Sequence, residues 1–505
     1  MVIAAYATER WSGSRGSLAT QALMLAEANN IPSHPQTGRK CLPPMKHGSR
    51  YVLAVALVAI AACSTLPDAP QSTSAVTHPV EFASAQGEVS RARSNAILRG
   101  LSAEAGKIDS LRSHLAQEQA INHGSPLVLG NRLELLQDGP ATYKAMFAAI
   151  RGARDHINLE TYIFESGKIG DEFAALLLAK QAAGVQVNLI YDSVGSIGTP
   201  KAFFEKLSAA GIRVLEFNPI NPTKLSGNEW LLNNRDHRKL LLIDGRTAFV
   251  GGINISASYS RGSSRQPFRK ESTRASRGWR DTQLEIEGPV VAEFQRLFLD
   301  TWARQNGPPL SGRHYFPQLG HQGDEIVRAV ASTADAPDSP IYLTLLSAIG
   351  SAEQSIHLTN AYFAPDPQLL KALTDAAQRG VDVQMILPGK TDSWAVFQAG
   401  RSHYAELLRA GIHLYERRDT VLHSKTATID GVWSTVGSTN LDWRSFLHND
   451  EVNAVILGHD FARQMEAMFA KDLAASAAID PQQWKRRSVL LKIQEQLARL
   501  FEYWL

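Results

Sequence analysis

The segment His237-Arg-Lys-Leu-Leu-Leu-Ile-Asp-Gly-Arg-Thr-Ala-Phe-Val-Gly-Gly-Ile-Asn254 decides the fold of this chain, because its spacing occurs twice. The second copy is His423-Ser-Lys-Thr-Ala-Thr-Ile-Asp-Gly-Val-Trp-Ser-Thr-Val-Gly-Ser-Thr-Asn440. In both copies a lysine stands two residues after the histidine, and an aspartate follows after four more residues. Six residues then lead to a Gly-Gly or Gly-Ser pair, and an asparagine stands two residues beyond it. One pattern of reactive side chains is therefore present twice.

The spacing within each copy predicts a strand, a tight turn and a returning strand. His237 and Lys239 are two residues apart, so on a strand their side chains project to the same face. The apolar run that follows is typical of a buried strand, and Asp244-Gly245 is typical of a hairpin turn. The returning strand brings Asn254 back beside the histidine. Each copy is expected to place an imidazole, an ammonium, an amide and a small residue together.

These side chains suit a phosphodiester substrate. Lysines and asparagines present donors or neutral dipoles to an anion, and the sequence shows no cluster of carboxylates or Cys/His ligands that indicates a metal. At an effective dielectric of about 20, each lysine about 4 Å from a phosphoryl charge contributes on the order of 4 kcal/mol of attraction before desolvation. Two histidines can divide the remaining chemistry, one attacking phosphorus and the other protonating the leaving alkoxide. We expect neither a metal nor a cofactor.

Weaker repeats surround the two motifs. Residues 157–164 match residues 356–363, and two later pairs of segments match at nearly the same offset. Strand-like runs alternate with helical segments in each half, which predicts an α/β fold of two βαβ-type layered domains. If a pseudo-two-fold axis relates the halves, His237 and His423 face each other in one shared active site.

The paired motifs resemble the signature of the phospholipase D superfamily. Their flanking segments are more similar to those of bacterial cardiolipin synthases than to those of plain phospholipases or nucleases. The first motif is followed by Trp279-Arg-Asp-Thr282 and by residues 286–290, and the second by residues 441–446 and 449–451. The resemblance covers residues from about 127 to the C-terminus. It implies duplicated phospholipase D-like α/β sandwich domains with one shared active site.

The resemblance also implies roles for single residues. It makes His237 the nucleophile that forms a phosphohistidine and His423 the acid. An acidic residue downstream of each motif orients the histidine, which by position assigns Glu451 to His423 and Asp281 to His237. The catalytic residues so predicted are His237, Lys239, Asp244, His423, Lys425 and Asp430, with the two aspartates mainly structural. The phosphate-binding and supporting residues so predicted are Gly252, Asn254, Ser438, Asn440, Asp281 and Glu451.

The predicted activity is that of a phosphatidyltransferase similar to cardiolipin synthase, which joins two phospholipids. Phosphatidylglycerol is the expected acceptor, and the donor is phosphatidylglycerol or phosphatidylethanolamine. Two alternatives stay open. A phospholipase D would use water as the acceptor and release phosphatidic acid, and a nuclease of the same superfamily would cleave nucleic acid. The second is disfavoured because single-motif chains are typical of those nucleases, so we expect no nucleic-acid partner.

Length and composition agree with a globular enzyme of several domains. The chain has 505 residues, of which 44% are hydrophobic and 20% charged. Its net charge of +3 is too small to distinguish a nucleic acid from an anionic membrane as partner. Local charge is therefore more informative than the total.

The N-terminal region resembles a bacterial lipoprotein signal. A short basic segment from Met45 precedes a run of twelve apolar residues, Tyr51 to Ala62, and Ile60-Ala-Ala-Cys63 resembles a lipobox. Twelve residues span about 18 Å as a helix, less than the ~30 Å of a bilayer core, so a transmembrane anchor is the weaker alternative. Lipidation of Cys63 would anchor the chain to a membrane facing the periplasm of a Gram-negative bacterium. Ser64 favours the outer over the inner membrane.

The domain boundaries follow from these patterns. At the C-terminus, apolar residues recur along one face of a predicted helix, with basic residues on another. Packing against its own domain is the first interpretation, and contact with a membrane surface is the alternative. The predicted segments are an upstream or disordered extension (1–44), a signal peptide (45–63), a tether with peripheral helices (64–126), the first phospholipase D-like domain (127–306), a linker (307–340), the second such domain (341–480) and the amphipathic helix (481–505).

Overall fold

The computed structural model describes residues 65–68, 80–105, 108–122, 124–220, 233–263, 277–334, 336 and 338–505. These residues belong to one compact unit, Ser64–Leu505. The predicted extension 1–44, the signal peptide 45–63 and the lipidation site Cys63 lie outside the described residues. None of the helices in the described part of the chain is both long and apolar enough to cross a membrane.

Two short strands and two helices precede the duplicated region. They are β1 (Phe82–Ser84), β2 (Gly87–Glu88), α1 (Arg91–Ala105) and α2 (Ile108–Ile121). On α2, the fully buried Glu118 accepts hydrogen bonds from Arg328 (2.9 Å) and from the indole of Trp433 (3.2 Å). The Arg328 guanidinium contributes to a lowered pKa of Glu118, although burial opposes it. The peripheral helices are thus joined to the second half by a buried ion pair.

The first half is an α/β layer with a mixed sheet. Its strands lie in the order β6-β5-β4-β8-β9-β10-β3, with β4, β5 and β6 parallel. The elements are β3 (Leu127–Gln137), α3 (Asp138–Gly152), β4 (His156–Thr161), α4 (Lys168–Ala182), β5 (Gln186–Asp192), α5 (Lys201–Ala209), β6 (Arg213–Phe217), β7 (Arg235–Asp236), β8 (Lys239–Ile243), β9 (Thr247–Gly251), β10 (Thr282–Glu287) and α6 (Val291–Arg304).

The second half repeats this layer. Its strands lie in the order β20-β15-β14-β12-β16-β17-β19-β11, with β12, β14 and β15 parallel. The elements are β11 (Glu325–Ser332), α7 (Pro340–Ser351), β12 (Ser355–Asn360), β13 (Phe363–Ala364), α8 (Pro367–Gln378), β14 (Asp382–Pro388), α9 (Trp394–Arg409), β15 (His413–Arg417), β16 (Lys425–Ile429), β17 (Trp433–Gly437), β18 (Leu441–Asp442), α10 (Trp443–Leu447), β19 (Asn449–Leu457), α11 (His459–Ala474) and β20 (Ser476–Ala478). The chain ends in α12 (Pro481–Lys485), α13 (Val489–Arg499) and a 3-10 turn (Glu502–Trp504).

Each motif forms a hairpin. Strand β8 pairs with β9, and β16 pairs with β17, all in antiparallel register. The turns place Asp244 and Gly245 at φ angles of 55° and 62°, and Asp430 and Gly431 at 52° and 61°. Consecutive left-handed residues match the right-handed twist of the flanking strands, and Asp-Gly adopts them at little cost. The predicted hairpins are therefore present.

The two halves share an apolar core and backbone pairing. Strand β11, which lies within the predicted linker 307–340, pairs with β19 and also with β3 of the first half. Between the sheets, Leu240 and Val250 of the first motif hairpin belong to the same buried cluster as Val436 and Ile456 of the second half. Because residues of both motif hairpins belong to this cluster, the two hairpins pack against each other. The histidine that precedes each hairpin therefore lies at the interface of the two halves.

Candidate active site

Backbone pairing across the interface positions His237. Strand β7 pairs in parallel with the start of β19, and the His237 amide donates to the carbonyl of Asp450 at 2.9 Å. Glu451 is the next residue on β19, so its carboxylate reaches the His237 ring. Nδ1 of His237 lies 2.9 Å and 3.1 Å from the two carboxylate oxygens of Glu451. The first histidine is thus held by a carboxylate from the second half.

His423 is held in the reciprocal way. Leu422 pairs with Arg280 in an isolated parallel bridge, and the His423 amide donates to the Arg280 carbonyl at 2.7 Å. Asp281, the next residue, lies with a carboxylate oxygen 2.7 Å from Nδ1 of His423. The second histidine is therefore held by a carboxylate from the first half.

The carboxylates are exchanged between the halves, and the pairing predicted from the sequence is wrong. Glu451 contacts His237 rather than His423, and Asp281 contacts His423 rather than His237. The reason is that each histidine stands just before its motif strand, where its backbone bonds to the other half. Neither half can orient its own histidine, so the site requires both.

Two lysines lie beside the histidines in a buried setting. Each Nζ donates to the backbone carbonyl of its own motif histidine, Lys239 to His237 and Lys425 to His423. Nζ of Lys425 also lies 3.0 Å from Nδ1 of His423. Burial lowers the pKa of Lys239 to about 7 and that of Lys425 to about 8, against the partial opposition of nearby carboxylates. An anionic ligand between these ammonium groups would be held by charge that water screens weakly.

Burial and positive charge also act on the histidines. Burial, followed by the charges of Lys239 and Lys425, lowers the pKa of His237 well below its ordinary value. The pKa of His423 is lowered by burial and Lys425, but Asp281 opposes the shift. Burial raises the pKa of Glu451 to about 7. Because Nδ1 of each ring faces a carboxylate, Nε2 is the nitrogen directed away from it and is available for chemistry.

The motif aspartates, predicted among the catalytic residues, lie at the other end of the hairpins, roughly 20 Å from the histidines at about 3.3 Å per strand residue. Asp244 accepts hydrogen bonds from the backbone amides of Arg154, Asp155 and His156 at 2.8–3.0 Å. Asp430 accepts the equivalent bonds from residues 353–355 of the second half. The structure gives both a structural role, because each closes the loop that leads into the neighbouring strand.

This role predicts a loss of stability without a loss of catalysis. In Asp430→Asn, the new asparagine can still adopt the left-handed conformation of the turn. The substitution removes the negatively charged carboxylate that accepts several backbone hydrogen bonds. We expect the free energy of unfolding to fall by about 1–3 kcal/mol, with kcat per folded molecule unchanged. Urea unfolding and turnover of the same preparation measure both. Asp244→Asn is the matched variant, and a large fall in kcat for either would contradict a structural role.

The remaining predicted residues surround the histidines. Gly252 leaves room for Asp281, since a Cβ at this position would lie 2.2 Å from its carboxylate oxygen. In the second copy, Ser438 instead donates a hydrogen bond to Glu451. The carboxamide oxygen of Asn254 accepts from the amide of Ile163 at 3.2 Å. The carboxamide oxygen of Asn440 is buried without a hydrogen-bond partner in the structure, so it is available to a ligand or water.

Aromatic side chains flank both imidazoles. The Tyr162 ring lies 5.1 Å from the His237 ring, and the Lys239 ammonium lies 5.3 Å from the centroid of Tyr162. The rings of Trp279 and Tyr362 lie 5.4 Å and 6.1 Å from that of His423. Strand-end tyrosines are more often core residues, so the sequence alone favours packing for Tyr162 and Tyr362. The structure places both beside a histidine.

Tyr259 and Arg444 are site residues that the sequence reasoning missed. The Tyr259 hydroxyl lies 3.1 Å from Nδ1 of His423, and the charge of Arg444 contributes to the lowered pKa of His237. The duplication contains a signal for Tyr259, because it stands five residues after Asn254, where the second copy has Ser445. That serine accepts a hydrogen bond from the backbone amide of Asn440 at 3.2 Å. Arg444 has no such signal.

Within the described ranges, no cluster of three or more His, Cys, Asp and Glu side chains is arranged to hold a metal ion. The charges that lower the pKa of His237 are those of Lys239, Lys425, His423 and Arg444.

Comparisons with known proteins agree with this geometry. A family model described as "Cardiolipin synthase, PLD-like domain" matches residues 146–264 and 345–473, one segment in each half. A cardiolipin synthase of Geobacillus kaustophilus is 35% identical over 377 residues, which is 74% of this chain and 72% of that protein. The chain belongs to the cardiolipin synthase family of the phospholipase D superfamily. A cardiolipin synthase of Listeria monocytogenes is 34% identical over 75% of this chain and 77% of its own length.

A solved structure supports the fold. The phosphatidylserine synthase of Haemophilus influenzae Rd KW20 superposes with a TM-score of 0.56 at 13% sequence identity, covering 78% of this chain and all of that one. The predicted α/β fold of duplicated phospholipase D-like domains is confirmed by the two matched segments and by this likeness. The family makes this chain an enzyme that transfers a phospholipid phosphodiester.

Proposed function

We propose that this enzyme joins two phospholipids into cardiolipin, with phosphatidylglycerol as the acceptor and His237 as a transient phosphatidyl carrier. One observation carries the proposal. Two buried imidazoles, each held at Nδ1 by a carboxylate of the other half, lie beside two buried lysines. Such a site can attack phosphorus from one side and protonate the leaving oxygen from the other.

In the first step, the lone pair on Nε2 of His237 attacks the phosphorus of the donor. The P–N bond forms as the bond to the headgroup alkoxide breaks, and the alkoxide takes the proton from Nε2 of His423. Lys239 and Lys425 balance the negative charge that builds up on the phosphoryl oxygens. The products are the free headgroup alcohol and a phosphatidyl group on His237.

In the second step, a hydroxyl of phosphatidylglycerol attacks the phosphohistidine. Nε2 of His423, now neutral, accepts the hydroxyl proton as the P–O bond forms and the P–N bond breaks. Both histidines return to their starting states, and no co-reactant is consumed. The reaction therefore balances as the exchange of one phosphodiester for another.

The electrostatics support His237 as the nucleophile. A nucleophilic imidazole must be neutral, and burial together with both lysines lowers the pKa of His237 well below its ordinary value. The acid must be protonated, and although burial and Lys425 lower the pKa of His423 as well, the charge and hydrogen bond of Asp281 oppose that shift. In the second copy, the Ser438 hydroxyl donates a hydrogen bond to Glu451. The equivalent residue of the first copy is Gly252, which has no side chain that could donate to Asp281. The two half-sites are thus unequal in the direction that the two roles require.

The lysines predict the pH dependence. Their pKa values of about 7 for Lys239 and about 8 for Lys425 lie below the ordinary value of a lysine because the free site is buried. Rising pH therefore removes ammonium groups that bind the substrate, and kcat/KM should fall as pH rises through about 7 to 8. A bound phosphodiester stabilises the ammonium forms of both lysines and so raises their pKa. The fall of kcat at alkaline pH should therefore occur at a higher pH than the fall of kcat/KM. Initial rates at saturating and limiting substrate test this, and a kcat/KM that stays flat to strongly alkaline pH would contradict it.

Product analysis tests the function. The purified protein is incubated with vesicles of phosphatidylglycerol, with and without excess glycerol, and lipids are followed by mass spectrometry. We expect cardiolipin and free glycerol, with less cardiolipin when glycerol is in excess because glycerol reverses the transfer. Vesicles that also contain phosphatidylethanolamine test the second donor. Phosphatidic acid alone would assign a hydrolytic phospholipase D, and a protein carrying His237→Ala is the blank.

We also propose that Cys63 is lipidated and anchors the enzyme at a membrane facing the periplasm, the outer membrane being favoured. The lipobox-like sequence Ile60-Ala-Ala-Cys63 and the following Ser64 support this. Two or more acyl chains, at about 0.8 kcal/mol per buried methylene, would give stable attachment. Metabolic labelling with a fatty acid analogue should mark the wild type and not Cys63→Ser. Equal labelling of both would remove the proposal.

A further inference from the structure

The C-terminal helix α13 presents its apolar face to solvent. Eight large apolar side chains of this segment are exposed. All of them except Leu491 recur at a spacing of three or four residues, which places seven along one stripe. Leu500 and Val489 are the most exposed, at 74% and 70%. The stripe consists of Val489, Leu490, Ile493, Leu497, Leu500, Phe501 and Trp504. The usual arrangement, in which a helix buries its apolar face against its own domain, is reversed here.

Polar and small residues face the protein instead. Glu495 is fully buried and accepts three hydrogen bonds of 2.6–3.1 Å from Arg487, while Arg401 of α9 lies 3.8 Å away. Ala498 packs against Ala399 of α9 in a small buried cluster. Because Glu495 faces Arg401 and Ala498 packs on Ala399, contacts with α9 fix the rotation of the helix about its axis. The outward stripe is therefore built into the fold and is not a frayed end.

The segment that carries the stripe packs against elements near the active site. Helix α13 packs along α9, and Ala498 belongs to the same buried cluster as Ala364. Ala364 lies in β13, which directly follows Tyr362. The ring of Tyr503 lies 5.4 Å from that of Trp443 at an interplanar angle of 55°, and Trp443 precedes the site residue Arg444. The C-terminal end of the segment thus contacts elements that hold site residues.

Two further exposed apolar side chains stand at equivalent positions of the two halves, next to the site. Ile197, 71% exposed, lies in the loop after β5 that packs on Tyr162. Trp394, 58% exposed, begins α9 after β14, and Asp392 of the same loop accepts a hydrogen bond from Tyr362 at 2.6 Å. Both tyrosines contact a histidine ring. Exposed apolar side chains therefore flank the site in both halves, and Trp394 begins the helix against which α13 packs.

The charged side chains of the C-terminal segment are mainly basic. The segment 481–505 contains five basic residues and two acidic ones. Both acids are engaged toward the protein, Glu495 with Arg487 and Glu502 with His403 at 2.8 Å. Lys485 and Arg486 are exposed beside the start of α13. An apolar stripe with a basic border is complementary to a bilayer surface, in which acyl chains lie beneath anionic headgroups. Each basic residue near such a surface contributes about 1 kcal/mol to the binding free energy.

We infer that the stripe on α13 and the 3-10 turn, extended by Trp394 and Ile197, is the surface that docks the enzyme on an anionic phospholipid bilayer. A second copy of the chain suits it less well, because a two-fold contact through the stripe would bring like basic borders together. The inference rests on the proposed function, because it explains how an active site whose substrates are bilayer lipids gains access to those lipids. Docking through this surface brings the headgroup region to the active site without extraction of the lipid.

A probe on the stripe tests the docking directly. The full chain carrying Cys41→Ser, Cys63→Ser and Leu497→Cys is labelled with an environment-sensitive fluorophore, so that no lipid anchor contributes. We expect a blue shift on adding vesicles of equal parts phosphatidylglycerol and phosphatidylcholine, quenching by lipids brominated on the acyl chains, and a weaker response to phosphatidylcholine alone. The matched control is Phe316→Cys in the same background, because Phe316 is a half-exposed apolar residue outside the stripe. It should show no shift.

Kinetics provide the second measurement. Combining Leu490→Ser, Ile493→Ser and Leu497→Ser removes three apolar contacts with acyl chains. Turnover of phosphatidylglycerol in vesicles should fall at least about tenfold, while turnover of a short-chain phosphatidylglycerol dispersed as monomers should be unchanged. Phe316→Ser should change neither rate. Equal losses on both substrates would indicate damage to the fold and contradict a docking role.

The outcomes separate the docking from the chemistry. A probe at position 497 that does not shift, on protein that sediments with the vesicles, would overturn the inference. So would a probe that is already shifted without vesicles in a sample that light scattering shows to be dimeric, since a second copy would then cover the stripe. A wild-type protein that docks but yields no phospholipid product would instead refute the proposed function and leave the docking in place.

Discussion

Replacing either histidine with alanine is expected to lower the rate of cardiolipin formation by about four to six orders of magnitude, because groups that act as one catalytic unit fail together. His237→Ala removes the atom that carries the phosphatidyl group, and His423→Ala removes the acid and base. Each ring is buried at the interface of the halves, so both variants must first be shown to unfold at the same urea concentration as the wild type. Near-normal activity in either variant would contradict one shared site.

A substrate with a good leaving group distinguishes the two histidines. With phosphatidyl-para-nitrophenol, the phenolate departs without a proton, so the first step no longer needs an acid. His423→Ala should then release one equivalent of nitrophenol in a burst and stop, because the second step still needs a base. His237→Ala should show no burst. The reverse pattern would exchange the two roles.

The second large effect concerns the exchanged carboxylates. Glu451→Gln and Asp281→Asn should each lower turnover on the order of 100- to 10,000-fold, because the histidine loses the partner that fixes its tautomer and stabilises its cation. Asp281→Asn should resemble His423→Ala and recover its first step with the nitrophenyl substrate. Glu451→Gln should resemble His237→Ala and not recover.

This pattern tests the pairing whichever histidine is the nucleophile. If each carboxylate served the histidine of its own half, Glu451→Gln would share the leaving-group response of His423→Ala, and Asp281→Asn that of His237→Ala. Stopped-flow measurement of the nitrophenol burst in the four variants decides between the two pairings. The matched control is Asp244→Asn, an acidic residue of the same motif that lies far from both rings.

Local patterns predict much of this molecule because they act through neighbouring residues. The two-residue spacing of His237 and Lys239 places both on one face of a strand, and Asp-Gly turns close both hairpins. The repeated motifs predict the duplication, and the apolar runs after each histidine become fully buried strands. In these cases the side-chain period and the turn conformation are set within a few residues.

The predictions that failed depend on contacts between distant segments. The pairing of Glu451 with His237 follows from the parallel contact of β7 with β19, which no spacing within either half reveals. The outward orientation of the stripe on α13 also depends on contacts between segments that are distant in the sequence. Its period predicts an amphipathic helix, but the rotation of that helix is fixed by Glu495 facing Arg401 of α9 and by the small Ala498 against α9. Tertiary contacts decide which face is buried.

The most direct test of the central claim is to find the phosphatidyl group on the enzyme. Protein turning over phosphatidylglycerol is denatured at mildly alkaline pH, where the P–N bond and the acyl esters both survive, and is then digested and examined by mass spectrometry. The variant His423→Ala, incubated with the nitrophenyl lipid, should accumulate the same adduct. We predict a phosphatidyl adduct on the peptide that contains His237 and none in His237→Ala. An adduct on His423, or no adduct in a sample that has shown a full burst, would contradict the account.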